Sequence, residues 1–405
     1  LKILAKLGMA ASILALGSSV ASAESTVRFW YHFDNADNPM NELVESFEAA
    51  NPDITIEAEN IPWNSYYDTL YTSIIGGNAP DAAMVKMFAQ PRLIEMGALE
   101  PIGDRIAAWA DKSDVQDNLF ELVRAEDGES YYLPVQYVVL YLYYRPDMFA
   151  ELGLDVPKTC DEFRSAAKAL TRDTDGDGRT DVYGFGLRGS KGGHDHWASL
   201  TLSREGVSLP EGIESEAAVA GTQFVIDMFR EDGSFPPSAP NDGFQEIIGG
   251  FKAGKTAMTI HHIGSANGMV EALGDKVSAT TVPECGGGHW TSFGDESTAI
   301  LSSAEDKDAA WKWISFLSTA GNNAKFNEAT GQLPVTKTDS ASWTLHPQRF
   351  VEATVESLPF ANLLPNRSET SDFVNTVWPV SMQRALTGEI TAAEMNAEIA
   401  KLYGN

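Results

Sequence analysis

From Val27 onward the chain alternates two kinds of segment, and that alternation leaves few architectures open. Val27–Phe33 (VRFWYHF) is a short β-type run. MNELVESFEAANP sets Leu43, Val44 and Phe47 at helical spacing and stops before Pro52. DITIEAENI alternates as a strand, WNSYYDTLYTSIIGG (Trp63 to Gly77) patterns as a helix with a glycine stop, and APDAAMVKM is a strand again. A β-α-β-α-β order predicts a parallel sheet covered by helices on both faces. Ligands of such sheets gather beyond the carboxyl ends of the strands. At 405 residues the chain exceeds the usual size of one hydrophobic core, which favours two domains.

The pattern changes at Tyr131. YYLPVQYVVLYLYYRPDMF strings Tyr, Val and Leu together, as a strand buried on both sides requires. Its length suits a strand that leaves one domain for another. The helical DEFRSAAKALTRD, the strand VYGFGLRG, the helical EAAVAGTQFVIDMFRED and the strand KTAMTIHHIG follow. KVSATTVPECGGGHW reads as a second crossing. A long amphipathic region then carries Trp311, Ile314 and Leu317 roughly on one face, and QLPVTK reads as a third crossing. The expected fold class is α/β: two lobes joined by three crossing segments at a hinge. Residues 24–133 with 283–332 would form the first lobe, and 134–282 with 333–405 the second.

Residues 1–23 are read as a secretory signal peptide. Lys2 and Lys6 precede an apolar run from Leu7 to Leu16, and Ala21-Ser22-Ala23 supplies the cleavage site. No later segment has the length and apolarity of a membrane span, and no cysteine follows the cleavage site to suggest a lipid anchor. Net charge is −28, which repels nucleic acid and anionic lipid and excludes both as general partners. Cys160 and Cys285 lie far apart in sequence; a disulfide and two buried thiols both remain open.

One stretch asks for a cation. In RDTDGDGRTD, Asp173, Asp175 and Asp177 take the first, third and fifth places of an EF-hand loop, with Gly178 at the sixth. The Arg179 carbonyl would be the seventh and Asp181 the ninth, but Gly184 stands where the bidentate Glu belongs. An incomplete loop predicts a structural calcium site and no sensor that opens a helix pair. The His194–His196 triplet (HDH) lacks a third distant ligand, which argues against zinc.

Taken in order, the motifs resemble those of the bacterial extracellular solute-binding proteins of ABC importers, in the carbohydrate-binding, maltose-binding-protein-like group. The resemblance rests on FWYHFD before MNELVESFEAANPDI, IPWNSYYDTLYTSIIGGNAPDAAMV, the crossing run through DVPKTCDEF, KAGKTAMTIHHIGSAN, and GDESTAILSSAEDKDAAWKWISFLSTAGNNAKFNEATGQLPVTK. It covers nearly the whole chain after residue 23. It implies a monomeric periplasmic protein that holds a sugar or sugar alcohol between its lobes and delivers it to membrane permease subunits. It also implies that aspartate loops of this kind hold calcium structurally. Three positions depart from the family pattern: Cys160 replaces a common Trp, a stacking Trp is missing near His261–Gly264, and Asp295 and Glu296 stand where Gly and an acidic or aromatic residue are usual.

Sugar recognition needs aromatic planes for ring faces and fixed polar groups for hydroxyls. His32 and Asp34, just past the first strand, are candidates by position. The resemblance adds Trp63, Tyr66 and Asp81. Arg188 and Trp197 lie in a polar, glycine-rich stretch after a strand; His262 and Ser265 end the strand KTAMTIHHIG; Asp295 and Glu296 sit where the first lobe returns. Trp343 is a weaker candidate in a late loop. The alternative from another class is a secreted glycan-cleaving enzyme using paired carboxylates, with Asp295 or Glu296 as one of them.

Overall fold

The computed structural model describes residues 25–33 and 38–404. The signal-peptide reading and Asp34 fall outside the described residues.

The first lobe is built on β1 (Ser25–Tyr31), β2 (Ile54–Asn60) and β3 (Ala82–Val85), with β1 central and parallel to both neighbours. Strand alternation sends Ala82 and Met84 to one face and Ala83 and Val85 to the other. The Met40–Ala50 helix covers the first face through Leu43 and Phe47. The Trp63–Ile75 helix covers the second with Tyr66, Tyr67 and Leu70. In the Lys307–Leu317 helix it is Trp313, fully buried against Phe29 and Phe47, that faces the core; Trp311 stays half-buried. Trp313 and Leu317 lie four residues apart on one stripe, whereas Trp311 falls at the stripe's edge.

β4 (Tyr132–Tyr144) ties the molecule together. Leu133 and Val135 belong to the first-lobe core, while Val138, Leu140 and Leu142 belong to the second. A register shift between Pro134 and Gln136 bends the strand at that passage. The carbonyls displaced there are satisfied by side chains: Ser318 donates to Pro134, and Asn323 and Asn327 both donate to Val135. The second lobe adds β5 (Tyr183–Gly186), β6 (Thr256–His262) and β7 (Ser278–Thr280), with β5 parallel to β6 and β6 antiparallel to β4. β8 (Thr291–Ile300) runs antiparallel between β3 and β4, so one continuous sheet, in the order β2-β1-β3-β8-β4-β6-β5, passes through both lobes.

The passages between lobes come later in the chain than the sequence pattern suggests. Val282 and Cys285 are buried in the second-lobe core, and the transit is made along β8 itself. β9 (Leu333–Pro334) pairs with β4, yet Val335 is in the first-lobe core and Thr338 bonds to Asp114, so residues 335–341 pack with the first lobe. The Gln348–Ser357 helix then packs on β4 through Phe350 against Tyr143. β10 (Ala361–Asn362) pairs with the start of β8. Cys160 and Cys285 are joined in a disulfide with their Cα atoms 5.0 Å apart, tying the Cys160–Leu170 helix to the segment before β8.

Candidate ligand-binding cavity

Between the lobes lies a cavity of about 210 Å³. Its polar side chains sit where the sheet's topology predicts. His32 follows β1, Lys86 follows β3, Arg188 lies two residues past β5, and His262 ends β6. Trp63 opens its helix at the rim, and Glu296 and Asp295 face in from β8. Phe33, Phe88, Phe244 and Phe293 supply apolar wall.

On the first-lobe side, Glu296 is buried and salt-bridged to Lys86. Burial acts to raise its pKa, but Lys86 and His32 outweigh it and hold the carboxylate below the usual glutamate range. His32 Nε2 lies 3.3 Å from Glu296 Oε2 without the alignment of a hydrogen bond, so both atoms are buried and unsatisfied. Lys86 also lies over the Trp63 ring, 5.4 Å from its centre. Neighbouring Asp295 differs: burial pushes its carboxyl up to about 6, while Met87 N and Ser297 Oγ donate to it at 3.0 and 3.3 Å.

On the second-lobe side, Gly192 has φ +84 and packs on the Arg188 guanidinium so closely that a Cβ would lie 2.6 Å from it. Arg188 N donates to His196 Nδ1 at 3.3 Å. Burial, aided by the charges of Arg188 and Lys86, lowers His196 and His262 to about 3 and keeps both imidazoles neutral. Burial also lowers His261, whose Nδ1 meets Ser265 Oγ at 2.9 Å. His194 Nδ1 is buried without a hydrogen-bond partner, and Asp195 Oδ1 lies 3.4 Å from His194 Nε2.

His32, Trp63, Arg188, His262, Ser265, Asp295 and Glu296 therefore converge on one cavity. Four other candidates stand elsewhere. Tyr66 is completely buried, donating to Met84 O at 2.7 Å, with its ring 4.7 Å from that of His32; it supports the wall from behind. Trp197 is in the second-lobe core, where its Nε1 donates to Thr222 Oγ1 at 3.0 Å. Helical periodicity turns it inward while His194 and Asp195 face the cavity. Asp81 accepts Arg28 N at 2.8 Å, tying the start of β3 to β1. Trp343 does not line the cavity; its ring lies near His346. Lys86, Gln136, Asp195 and Gln332 are lining groups that sequence reasoning missed. For Lys86, its place directly after a parallel strand was an available signal.

In the aspartate loop, Asp173, Asp175 and Asp177 each present a carboxylate oxygen within 4.8 Å of the others. Asp173 accepts the backbone N–H groups of Gly178, Gly176 and Asp175, which hold its carboxyl below the usual range. Asp181 accepts from the Thr174 hydroxyl and backbone N–H, and Arg179 N donates to Asp177. The donor set and spacing fit a hard, oxygen-seeking cation.

Two α/β lobes sharing a polar cavity beside their connecting strands define a two-lobed ligand-binding protein. The chain belongs to the bacterial extracellular solute-binding protein family, whose model matches residues 34–324. It is 26% identical over 381 residues to a binding protein of Brucella abortus, covering 90% of this chain and 89% of that one. It is also 26% identical over 256 residues to the mannitol-binding protein of Pseudomonas aeruginosa, covering 60% of this chain and 56% of the relative. Among solved structures, an ABC transporter solute-binding protein from Thermotoga lettingae bound to α-D-tagatose superposes with a TM-score of 0.82 at 23% identity, over 93% of this chain and 99% of that one. A maltose-bound protein of T. maritima gives a TM-score of 0.81 at 20% identity, over 94% and 99%. No helix among the described residues is long and apolar enough to cross a membrane.

Proposed function

We propose that this protein is the substrate-binding component of an ABC importer, exported to the periplasm by the segment 1–23 and capturing a sugar or sugar alcohol between its lobes. The observation that carries this is the cavity itself, which polar side chains from both lobes line together with the Trp63 ring. Hydroxyl groups both donate and accept, so one polyol meets carboxylates and neutral imidazoles alike. A ligand touching both lobes favours the closed form, because only closure makes both sets of contacts. The closed monomer would then dock on its permease subunits. Relatives that bind mannitol and arabinooligosaccharide support a carbohydrate ligand. The glycan-cleaving alternative gains no support from the comparisons, and Glu296 is tied up by Lys86.

The test is thermal unfolding of the refolded, ligand-stripped protein against sugars and hexitols. A true ligand at about a hundred times its Kd stabilises by about 2.7 kcal/mol. No shift from any carbohydrate at millimolar concentration would end this reading. The aspartate loop would act as a local brace, with Asp173, Asp175, Asp177, the Arg179 carbonyl and Asp181 around one Ca2+. Calcium should then raise the unfolding temperature and EDTA reverse it, with no change in sugar affinity. An Asp175→Asn variant should lose most of the calcium response.

A further inference from the structure

We propose, building on the sugar-capture reading, that the cavity admits one neutral polyhydroxy molecule the size of a single hexose or hexitol, selected by Asp195 and Glu296 from opposite lobes. Size comes first. A cavity of roughly 150 Å³ holds a benzene-sized molecule, and this one measures about 210 Å³, which is the scale of one six-carbon unit. One side of the mouth is bridged as well. Lys191, beside cavity-lining Gly192, reaches across to Asp68 Oδ2 at 2.8 Å and to the carbonyl of Asn64, the neighbour of Trp63. A second sugar unit leaving by that side would have to break this bridge.

Charge comes second. Lys86 and Arg188 bring two positive charges to the wall, against the carboxyl groups of Asp195, Asp295 and Glu296. Lys86 is already committed to Glu296. His194, His196, His261 and His262 are buried and add no compensating charge. A ligand carboxylate or phosphate would therefore enter a wall whose balance is negative, with no cation left to it on the first-lobe side.

The polar lining comes third. Glu296 and Asp195 line the cavity from opposite lobes, and a carboxylate can only accept while ionised, so both call for hydroxyl donors. His32 and His194 line it beside them and can take the complementary role. Four such groups around one small space match a chain or ring with a hydroxyl on nearly every carbon.

Isothermal titration of the stripped protein would use D-tagatose, D-glucose and D-mannitol, with glucuronate, glucose 6-phosphate, maltose and maltotriose beside them. A neutral single unit should bind at least a hundredfold more tightly than any sugar acid, sugar phosphate or oligosaccharide. Asp195→Asn and Glu296→Gln should each weaken that ligand tenfold or more, and Asp195→Asn should narrow the gap between neutral and acidic sugars. Tightest binding by maltotriose or glucuronate, or unchanged affinity in both variants, would overturn the inference while leaving sugar capture intact. Silence from every carbohydrate would remove both.

Discussion

Asp295 and Glu296 are chain neighbours on one strand, yet their surroundings drive their acidities apart. Glu296 has Lys86 beside it; Asp295 has mainly burial. For Asp295 the consequence has a definite sign. Its folded-state value of about 6 lies above the ordinary aspartate value of 3.8, so the folded chain keeps a proton that the unfolded chain has lost. Stability therefore falls as pH rises through that interval and stays lowered above it, by up to about 3 kcal/mol for two units at ~1.4 kcal/mol each. The depressed histidines act oppositely, since they must charge on unfolding below pH ~6.5 and so lose stability as pH drops. Asp295→Asn should accordingly be more stable than the parent at pH 7.5 by about 2–3 kcal/mol and nearly equal to it at pH 4. Urea unfolding at both pH values checks this; a difference that does not grow with pH would show that Asp295 is charged throughout. The site was partly legible at this scale. Seven of the proposed residues meet at the cavity; His32, Arg188 and His262 were readable because strand ends follow from pattern, whereas Trp63 came from the family resemblance. Trp197 was not, because residue type says sugar platform and core equally well and only its helical phase decides.

At the scale of elements, two close associations hold the second lobe. Gly184 on β5 lies so near the Cys160–Leu170 helix that an added Cβ would sit 2.0 Å from the Ala167 carbonyl oxygen. Backbone cannot yield as a flexible side chain does, so Gly184→Ala should cost about 3 kcal/mol, seen as a lower urea midpoint. The bridge between Cys160 and Cys285 closes a sequence separation of 125 residues. Replacing both with serine should lower the unfolding free energy by about 2–4 kcal/mol, with sugar binding preserved when the protein is folded. A double variant as stable as the parent would mean that packing alone holds that helix. Helix and strand types were legible here, since the hydrophobic periods of β1 to β3 and their helices are strong. The cysteine pairing was not, because sequence carries no distance.

At the scale of the whole molecule, closure is the property to perturb. Lys191 links the second lobe to Asp68 and Asn64 across the cavity mouth. The ion pair is solvent-exposed, so it contributes no more than about 1 kcal/mol, or roughly fivefold in affinity. Lys191→Ala should weaken ligand binding by no more than that, chiefly through faster dissociation, and the effect should shrink at high salt. A hundredfold loss would mean that Lys191 touches the ligand itself. Local periodicity and motif order were enough to determine that this chain builds two α/β lobes with long crossing strands, because those signals are carried by residues close in sequence. Where the lobes exchange chain was decided only in three dimensions: Val335 follows the strand pairing of β9 into the first core, and Cys285 follows its partner into the second. The cavity belongs to the same category. Glu296 and Lys86 are distant in the chain, and nothing local in either records that folding will place them together and bury the carboxylate beside the ammonium group.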